Sequence, residues 1–283
     1  MILTDNIYRE GWVQWEETIK RTSKRLRPLL DAGKKVITQG FIGSTSENFT
    51  TTLGREGSDY SAAILSYCLD AEGMYIWKDV PGILTADPRM FDNVTKLDTL
   101  SYKEAIEMTY YGAKVIHQKT IKPLQNKNIP LYVKSFVDPA GAGTVISADS
   151  LDNYPPIVSI EKEQALIRIS TKDFSFVAEH HMSMLFSHIA ELRIQVNLMQ
   201  NTAISFVLCV NDTNDKVERF KKSIEDIFNV NVEQNLELVT IRHYNEDIIK
   251  SLKTGSLVLA EEKMPQTTQF VRKMVPLIKP KSA

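Results

Sequence analysis

The run TTTLGREGSDYSAAIL, residues 50–65, decides how the first half of the chain is read. Three threonines lead into Gly54 and Gly57, which flank Arg55. A Gly-Ser-Asp step then opens a segment with apolar residues at 62, 63, 65, 68 and 69. That spacing predicts a helix from about Ser58 to Leu69. A helix start exposes unpaired N–H groups and the positive end of the backbone dipole, so it attracts phosphate or carboxylate. Glycines let the backbone come close to such an anion, and an arginine grips a carboxylate through two parallel hydrogen bonds. Asp59, in the first helical turn, suits orienting a lysine or a magnesium-bound water. By composition alone, a capped helix behind a glycine turn explains the same residues, and short motifs of this kind arise often by chance.

The flanking segments narrow the choice. EETIKRTSKRLRPLL (16–30) predicts a helix, and KKVITQGFIG (34–43) reads as a buried strand running into a glycine-bracketed loop. MYIWKD (74–79) is strand-like, and VPGILTADPR (80–89) is a Pro/Gly loop. Ser101 and Glu104 form an S-x-x-E capping box that places a helix from there to about Tyr111. A second helix is expected from Ala113, and LYVKSF (131–136) is a strand. Strands alternating with helices imply a mainly parallel sheet covered on both faces. In open α/β sheets, ligands sit outside the carboxyl ends of the strands. The QGFIG loop, the GREGSD turn, Asp79 with the loop to Arg89, and Lys114 after Tyr-Gly-Ala all fall at such places. Each alone is a turn or a helix C-cap; four in this order point to one site.

The pattern changes near SADSLDNYPP (147–156). Beyond it come the strand ALIRIS, a helical stripe through Met182, Leu185, Phe186, Ile189 and Leu192, and the alternating strands IQVNLM and AISFVLCV. A second stripe runs through Val217, Phe220, Ile224, Ile227 and Phe228, with a return strand near 230–234. That order, β-α-β-β-α-β, is a ferredoxin-like unit. LELVTIR, NEDIIKSLK, SLVLAEE and TTQFVRK read as a second, abbreviated copy. The expected domains are therefore 1–150, 157–235 and 236–283.

A formal net charge of -1 offers no global field for nucleic acid or anionic lipid. The one dense basic stretch, KRTSKRLR (20–27), reads as the solvated face of a helix. Cys68 and Cys209 sit far apart among apolar neighbours, which gives neither a disulfide framework nor a metal spacing. No run is apolar enough for a membrane span, and a cytoplasmic location is expected.

The stretches TQGFIGST, TTTLGREGSDYSAAIL, YIWKDVPGILTADPR, SYKEAIEMTYYGAKVIH and DPAGAGTVIS together resemble the aspartokinase family. The resemblance implies an α/β fold: part of an amino-acid-kinase parallel-sheet domain, followed by ferredoxin-like ACT-type regulatory domains. It implies transfer of a phosphoryl group from ATP, with Mg2+, to the side-chain carboxylate of L-aspartate, the first step of lysine, threonine and methionine biosynthesis. By the same resemblance Phe41, Arg55 and Ser58 hold aspartate, Asp59 organises the reacting groups, and Lys78, Asp79, Arg89 and Lys114 contact the nucleotide. No protein metal-ligand set is implied, and His117 reads as structural. A carboxylate nucleophile is already ionised at neutral pH, so catalysis rests on positioning and positive charge. A homodimer through the ACT-type domains is implied as well.

Departures from the family pattern carry further expectations. The family's Lys-Phe-Gly-Gly-Thr phosphate loop is not found in the sequence, which opens MILTDNIYREG. These residues alone are therefore expected to be inactive as a kinase, and a missing lobe supplied by another polypeptide is left open. Lys78 stands where many members have threonine or serine, either adding charge near a phosphate or pointing to solvent. Glu56 replaces the second glycine of Arg-Gly-Gly-Ser-Asp and is expected to face outward. Gln118 replaces a common proline. His180, in AEHHMSMLF, occupies the place of a glycine in the effector loop, so inhibition by lysine or another amino acid is expected to be weak or absent. Two other readings stand beside this one: an amino-acid kinase acting on glutamate or acetylglutamate, and a non-catalytic ACT-type regulatory subunit of an aspartokinase.

Overall fold

The computed structural model describes residues 1–113, 116–149, 151, 153–173, 176, 178–213 and 215–275. The chain divides into two compact units, Met1–Tyr154 and Pro155 onward.

The first unit holds α1 (Trp15–Asp31), the hairpin β1 (Ile42–Ser44) and β2 (Thr50–Thr52), α2 (Gly57–Leu69) and β3 (Met74–Lys78). Then follow β4 (Ile83–Leu84), β5 (Lys96–Leu97), β6 (Thr99–Ser101), α3 (Tyr102–Tyr110), α4 (Gln118–Asn126), β7 (Leu131–Ser135) and β8 (Thr144–Ser147). Four strands make a sheet in the order β3-β7-β8-β6, with β3/β7 and β6/β8 parallel and β7/β8 antiparallel. Helix α3 starts where expected, because the Ser101 hydroxyl accepts from the Glu104 N–H at 3.1 Å. Helix α2 buries Ile64 and Cys68 against Ile2 and Leu53. The N-terminal segment braces the β1–β2 hairpin: Thr4 N–H donates to Ser44 O at 2.8 Å and Thr52 N–H to Tyr8 O at 2.7 Å.

Four local expectations fail in this unit or at its borders. Residues 34–39 form no strand, and Ile37 is 96% exposed. A strand needs another backbone to pair with, and none of the described residues provides one there. Helix α4 begins at Gln118, later than expected, because His117 caps it. Among the described residues the sheet is covered on one face only. Met74 and Ile76 are buried, but the alternate residues Tyr75 and Trp77 are exposed. Tyr75 stacks on Tyr132 with ring centroids 4.4 Å apart, and Trp77 leans on the exposed Phe136 at 5.8 Å. The fourth failure concerns Glu56 and belongs to the site.

The second unit holds β9 (Ile157–Thr171), α5 (Glu179–Glu191), β10 (Val196–Asn201), β11 (Ser205–Asn211), α6 (Lys216–Ile224), β12 (Phe228–Arg242), α7 (Glu246–Lys253), β13 (Ser256–Lys263) and β14 (Thr267–Met274). All six strands form one antiparallel sheet in the order β10-β11-β9-β12-β14-β13. The long strands β9 and β12 each serve two ferredoxin-like halves. Residues 164–171 pair with 228–236, while 157–161 pair with 238–242. The strand that completes the second half therefore lies upstream of the first half. Between the halves the register shifts, and Glu163 (φ 57°) and Asn235 (φ 58°) take the left-handed conformation. Such bulges bend a strand and raise its twist.

The twist lets this sheet bury apolar residues on both faces. Ile167, Ile169, Phe206, Leu208 and Phe228 pack with Leu185 and Ile189 of α5 and with Val217 and Phe220 of α6. On the other face Leu166, Leu198, Cys209, Leu236, Leu238 and Val271 form a second core with Leu259. The two edge strands approach each other, since Gln200 Nε2 donates to Glu261 O at 2.6 Å. The expected helical stripe ends early. Phe228 is buried as the first residue of β12, and Ile227 is half exposed in the turn before it.

Candidate functional site

The site is built on the first turn of α2. Gly54 (φ 79°) and Glu56 (φ 52°) both take the left-handed conformation, and the Gly57 N–H donates to Gly54 O at 3.1 Å. The turn leaves Arg55 and Ser58 exposed. The QGFIG loop is pressed onto it. Phe41 (φ 73°) donates its N–H to Ser61 Oγ at 2.8 Å and accepts from Leu53 N–H at 2.9 Å. A Cβ on Gly57 would lie 2.6 Å from Phe41 Cδ2, and one on Gly40 would lie 2.9 Å from Ser58 Cα. Both glycines are thus required by close approach. Phe41 keeps 44% of its surface exposed, so its ring is open to a ligand.

At the carboxyl end of β3, Lys78 Nζ donates to Asp59 Oδ2 at 2.8 Å. Both side chains are largely enclosed. Of the two readings of Lys78 left open by the sequence, the structure has it turned inward onto Asp59. Asp79 is exposed at the strand end. Arg89 stands in the loop beyond, 85% exposed and forked onto Asp87 at 2.8 and 3.0 Å. Asp87 holds its guanidinium above the ordinary basicity, with Asp79 adding to the effect. Phe41, Arg55, Ser58, Asp59 and Lys78 therefore gather around one helix start. Asp79 and Arg89 lie in the adjoining strand end and loop, and Lys114 lies outside the described residues.

Glu56 does not face outward as expected. It is half-buried, and its Oε2 is enclosed with no hydrogen-bond partner among the described residues. Burial pushes its carboxyl up from the ordinary value, Lys78 opposes this, Asp59 adds to it, and Arg55 opposes it. The cause is the backbone: with φ at 52° the side chain cannot leave the helix start as it would from an ordinary first turn.

Two residues bordering the site, Lys119 and Glu10, were not legible in sequence, whereas His117 reads there as structural. His117 caps α4, its Nδ1 accepting from Lys119 N–H at 3.2 Å. Burial lowers its imidazole pKa, and Lys119 and then Arg55 lower it further. Lys119 also pairs with Glu10 at 2.8 Å. The Glu10 side chain lies against Gly54, where a Cβ would come within 2.6 Å of Glu10 Cγ. No spacing rule links Glu10 to residues so far along the chain. Among the described residues, no group of three or more His, Cys, Asp or Glu side chains is placed to hold a metal ion.

An exposed arginine on a glycine turn, helix N–H groups and an enclosed lysine–aspartate pair can bind an anion and place positive charge beside it. Residues 13–135 match the family model described as the amino acid kinase family. Lysine-sensitive aspartokinase 3 of Escherichia coli (strain K12) is 34% identical over 248 residues, covering 83% of this chain and 53% of that protein. The bifunctional aspartokinase/homoserine dehydrogenase of Haemophilus influenzae is 41% identical over 148 residues, covering 52% of this chain and 18% of its own length. The crystal structure of Escherichia coli aspartokinase III in complex with aspartate and ADP superposes with a TM-score of 0.80 at 28% identity, covering 95% of this chain and 64% of that one. The chain thus spans about half the length of the Escherichia coli relative. It belongs to the amino acid kinase family. Within that family it is a relative of the aspartokinases, with their mixed α/β architecture.

Proposed function

We propose that the first unit carries the aspartate side and part of the nucleotide side of an aspartate kinase site. The reaction is phosphoryl transfer from ATP to the side-chain carboxylate of L-aspartate. The observation that carries this reading is the Lys78–Asp59 pair, enclosed at 2.8 Å where the end of β3 meets the first turn of α2. Arg55 and the α2 N–H groups take a carboxylate, and Phe41 walls the same place. Asp59 holds the Lys78 ammonium where negative charge accumulates on a transferring phosphoryl group. Asp79 and Arg89 lie on the side assigned to the nucleotide, with Lys114.

Magnesium fits this donor set. It commonly keeps several waters and binds through one or two carboxylates together with substrate phosphates, and a dedicated cage of three protein ligands is not needed. When bound, it would supply charge neutralisation of the phosphates, and Asp59 and Asp79 are the carboxylates that would hold it or its waters.

The reading extends to the rest of the chain. Residues 1–150 belong to the kinase domain, and the ferredoxin-like halves act as ACT-type regulatory domains that pair two copies of the chain. Crystal structures of Escherichia coli aspartokinase III are of its complexes with lysine and aspartate and with aspartate and ADP. In this chain His180 weakens the response to an amino-acid effector. A non-catalytic regulatory subunit is the second reading, favoured by the two-sided core of the second unit.

Calorimetric titration of residues 1–283 with Mg-ATP, with and without aspartate, tests the proposal alongside a kinase assay. Nucleotide binding without turnover is the expected result. Turnover at about 1 s⁻¹, in the usual enzyme range, would show that these residues need no further phosphate loop. Neither binding nor turnover would leave the regulatory reading alone.

A further inference from the structure

Two charges beside the α2 turn each stand where electrostatics disfavours them. Glu10 lies against the turn that exposes Arg55, and the backbone holds it there. Glu10 forms a β-bridge with Leu53, the Gly11 N–H donates to Thr52 O at 2.9 Å, and Thr52 Oγ1 donates to Arg9 O at 2.7 Å. The Glu10 side chain fills the space that a Cβ on Gly54 would need, with Oε1 3.0 Å from that position. A negative charge packed on the residue next to Arg55 weakens the hold of this turn on an anion. Lys119 stands in the first turn of α4, at the positive end of the helix dipole, and that turn holds no acidic residue. The fold brings the two charges together, Lys119 Nζ donating to Glu10 Oε1 at 2.8 Å. The Lys119 N–H is fixed in turn on His117 Nδ1 at 3.2 Å.

We infer that Glu10 and Lys119 are positioning residues that act as a pair: Glu10 braces the Gly54–Arg55 turn, and Lys119 cancels the negative charge that this brace sets beside the seat of the aspartate carboxylate. The brace is useful because Gly54 holds a left-handed conformation (φ 79°) with no side chain of its own to fix it. The carboxylate end of the brace is what ties the turn to the start of α4. Its cost is a negative charge next to a turn meant for an anion, and the Lys119 ammonium offsets that charge at the same oxygen. The surroundings of His117 agree with this clustering: after burial, Lys119 and Arg55 lower its pKa and Glu10 raises it. The inference rests on the proposed function, which gives Arg55 a carboxylate to hold.

The test compares the whole chain with Lys119→Met, Lys119→Arg, Glu10→Gln and the Glu10→Gln/Lys119→Met double variant. Affinity for L-aspartate in the presence of Mg-ATP is read by calorimetry, and melting temperature by scanning fluorimetry. Lys119→Met is expected to weaken aspartate binding about fivefold, the scale of one uncompensated charge near a solvated surface, and Lys119→Arg to bind within about twofold of wild type. Glu10→Gln keeps the length of the brace without its charge and is expected to change binding less than about twofold. Added to Lys119→Met, it is expected to restore binding to within about twofold of wild type, a coupling that only interacting groups show. A merely structural clasp behaves otherwise: either substitution breaks it equally, and the double variant recovers nothing. That result, or wild-type affinity in Lys119→Met, would overturn the inference alone. A wild-type chain that binds no aspartate would overturn the reading beneath it and the inference with it. Should Lys119→Met melt below wild type, Lys119→Gln, which keeps a polar contact to Glu10 without the charge, carries the same expectations.

Discussion

The two units solve the same problem differently. The second unit has one six-stranded sheet, apolar cores on both of its faces, and edge strands that hydrogen-bond to each other. The first has a four-stranded sheet whose β3 lies at the edge and turns Tyr75 and Trp77 outward. It also keeps Phe41, Gly54 and Glu56 in left-handed conformations around a helix start with an unpartnered carboxylate oxygen. A sheet buried on both sides has little left to offer a ligand. A sheet left open, beside a helix start whose turn exposes Arg55 and Ser58, has polar groups and surface to spare. The contrast teaches where each unit invests: the second in packing, the first in a site.

If that contrast is right, the largest loss of stability comes from the second unit. Phe220 is fully buried between α6 and the sheet. Phe220→Ala removes its packing and leaves a cavity, at a cost of about 3–5 kcal/mol. Urea unfolding followed by circular dichroism should show the loss in the transition of this unit. A cost below about 1 kcal/mol would mean that the core relaxes and that the unit is looser than its burial implies.

In the second unit the sequence was a good guide to elements and a poor one to their sharing. Periodicity placed α5, β10, β11, α7, β13 and β14 within a few residues, because one buried face dictates each pattern. It could not show that β9 and β12 run through both halves, because strand partners are a property of the sheet and not of the strand. Phe228 read as helical for a related reason: a buried aromatic after a helix satisfies the helical stripe and the next strand equally. In the first unit the GREGSD turn was legible from its glycines, and α3 from its Ser101 cap. The inward turn of Glu56 was not, because it depends on a φ angle that the residue type argues against. Nor was the Glu10–Lys119 pair, since only the fold joins the N-terminal segment to the start of α4.

The site's own strain gives the next prediction, and its sign is opposite. Glu56→Gly relieves a left-handed residue, worth about 1 kcal/mol, and removes an enclosed, unsatisfied carboxylate oxygen, worth about 1–3 kcal/mol. Glycine gives back about 0.4–1 kcal/mol through the freer unfolded chain. The first unit should therefore gain about 1 kcal/mol or more, measured as a raised urea midpoint. A loss on this substitution would mean that Glu56 is held by contacts that outweigh its strain, and the contrast between the units would weaken.

His117 gives a smaller, pH-dependent effect. Its folded pKa lies below the ordinary histidine value of 6.5, from burial first and then from Lys119 and Arg55. The folded state holds the imidazole neutral, as its Nδ1 must be to accept from Lys119 N–H. Its contribution is fully present above pH 6.5 and is lost as the pH falls from there toward the folded pKa, where the unfolded chain takes up a proton that the folded one resists. Glu56 acts in the opposite direction, since burial raises its pKa, so the Glu56→Gly background isolates the histidine. Melting temperature of the first unit should fall between pH 7.5 and 5.5, and His117→Asn, which keeps a capping acceptor, should flatten that slope.

The smallest expected effect is the most searching for the comparison. Phe136 is 69% exposed and touches Trp77 only at a tilted 5.8 Å. If the outer face of β3 and β7 is bare, Phe136→Ser should change stability by no more than about 0.5 kcal/mol, as exposed substitutions usually do. A loss of about 1.5 kcal/mol or more that grows with protein concentration would mean that another surface covers this face in solution, because binding stabilises by mass action. The first unit would then owe part of its stability to a partner, and its openness would be a property of the isolated chain. No change at any concentration would leave the open sheet as an intrinsic feature of these residues, with the charged turn of α2 as the part of this unit that its fold is arranged to present.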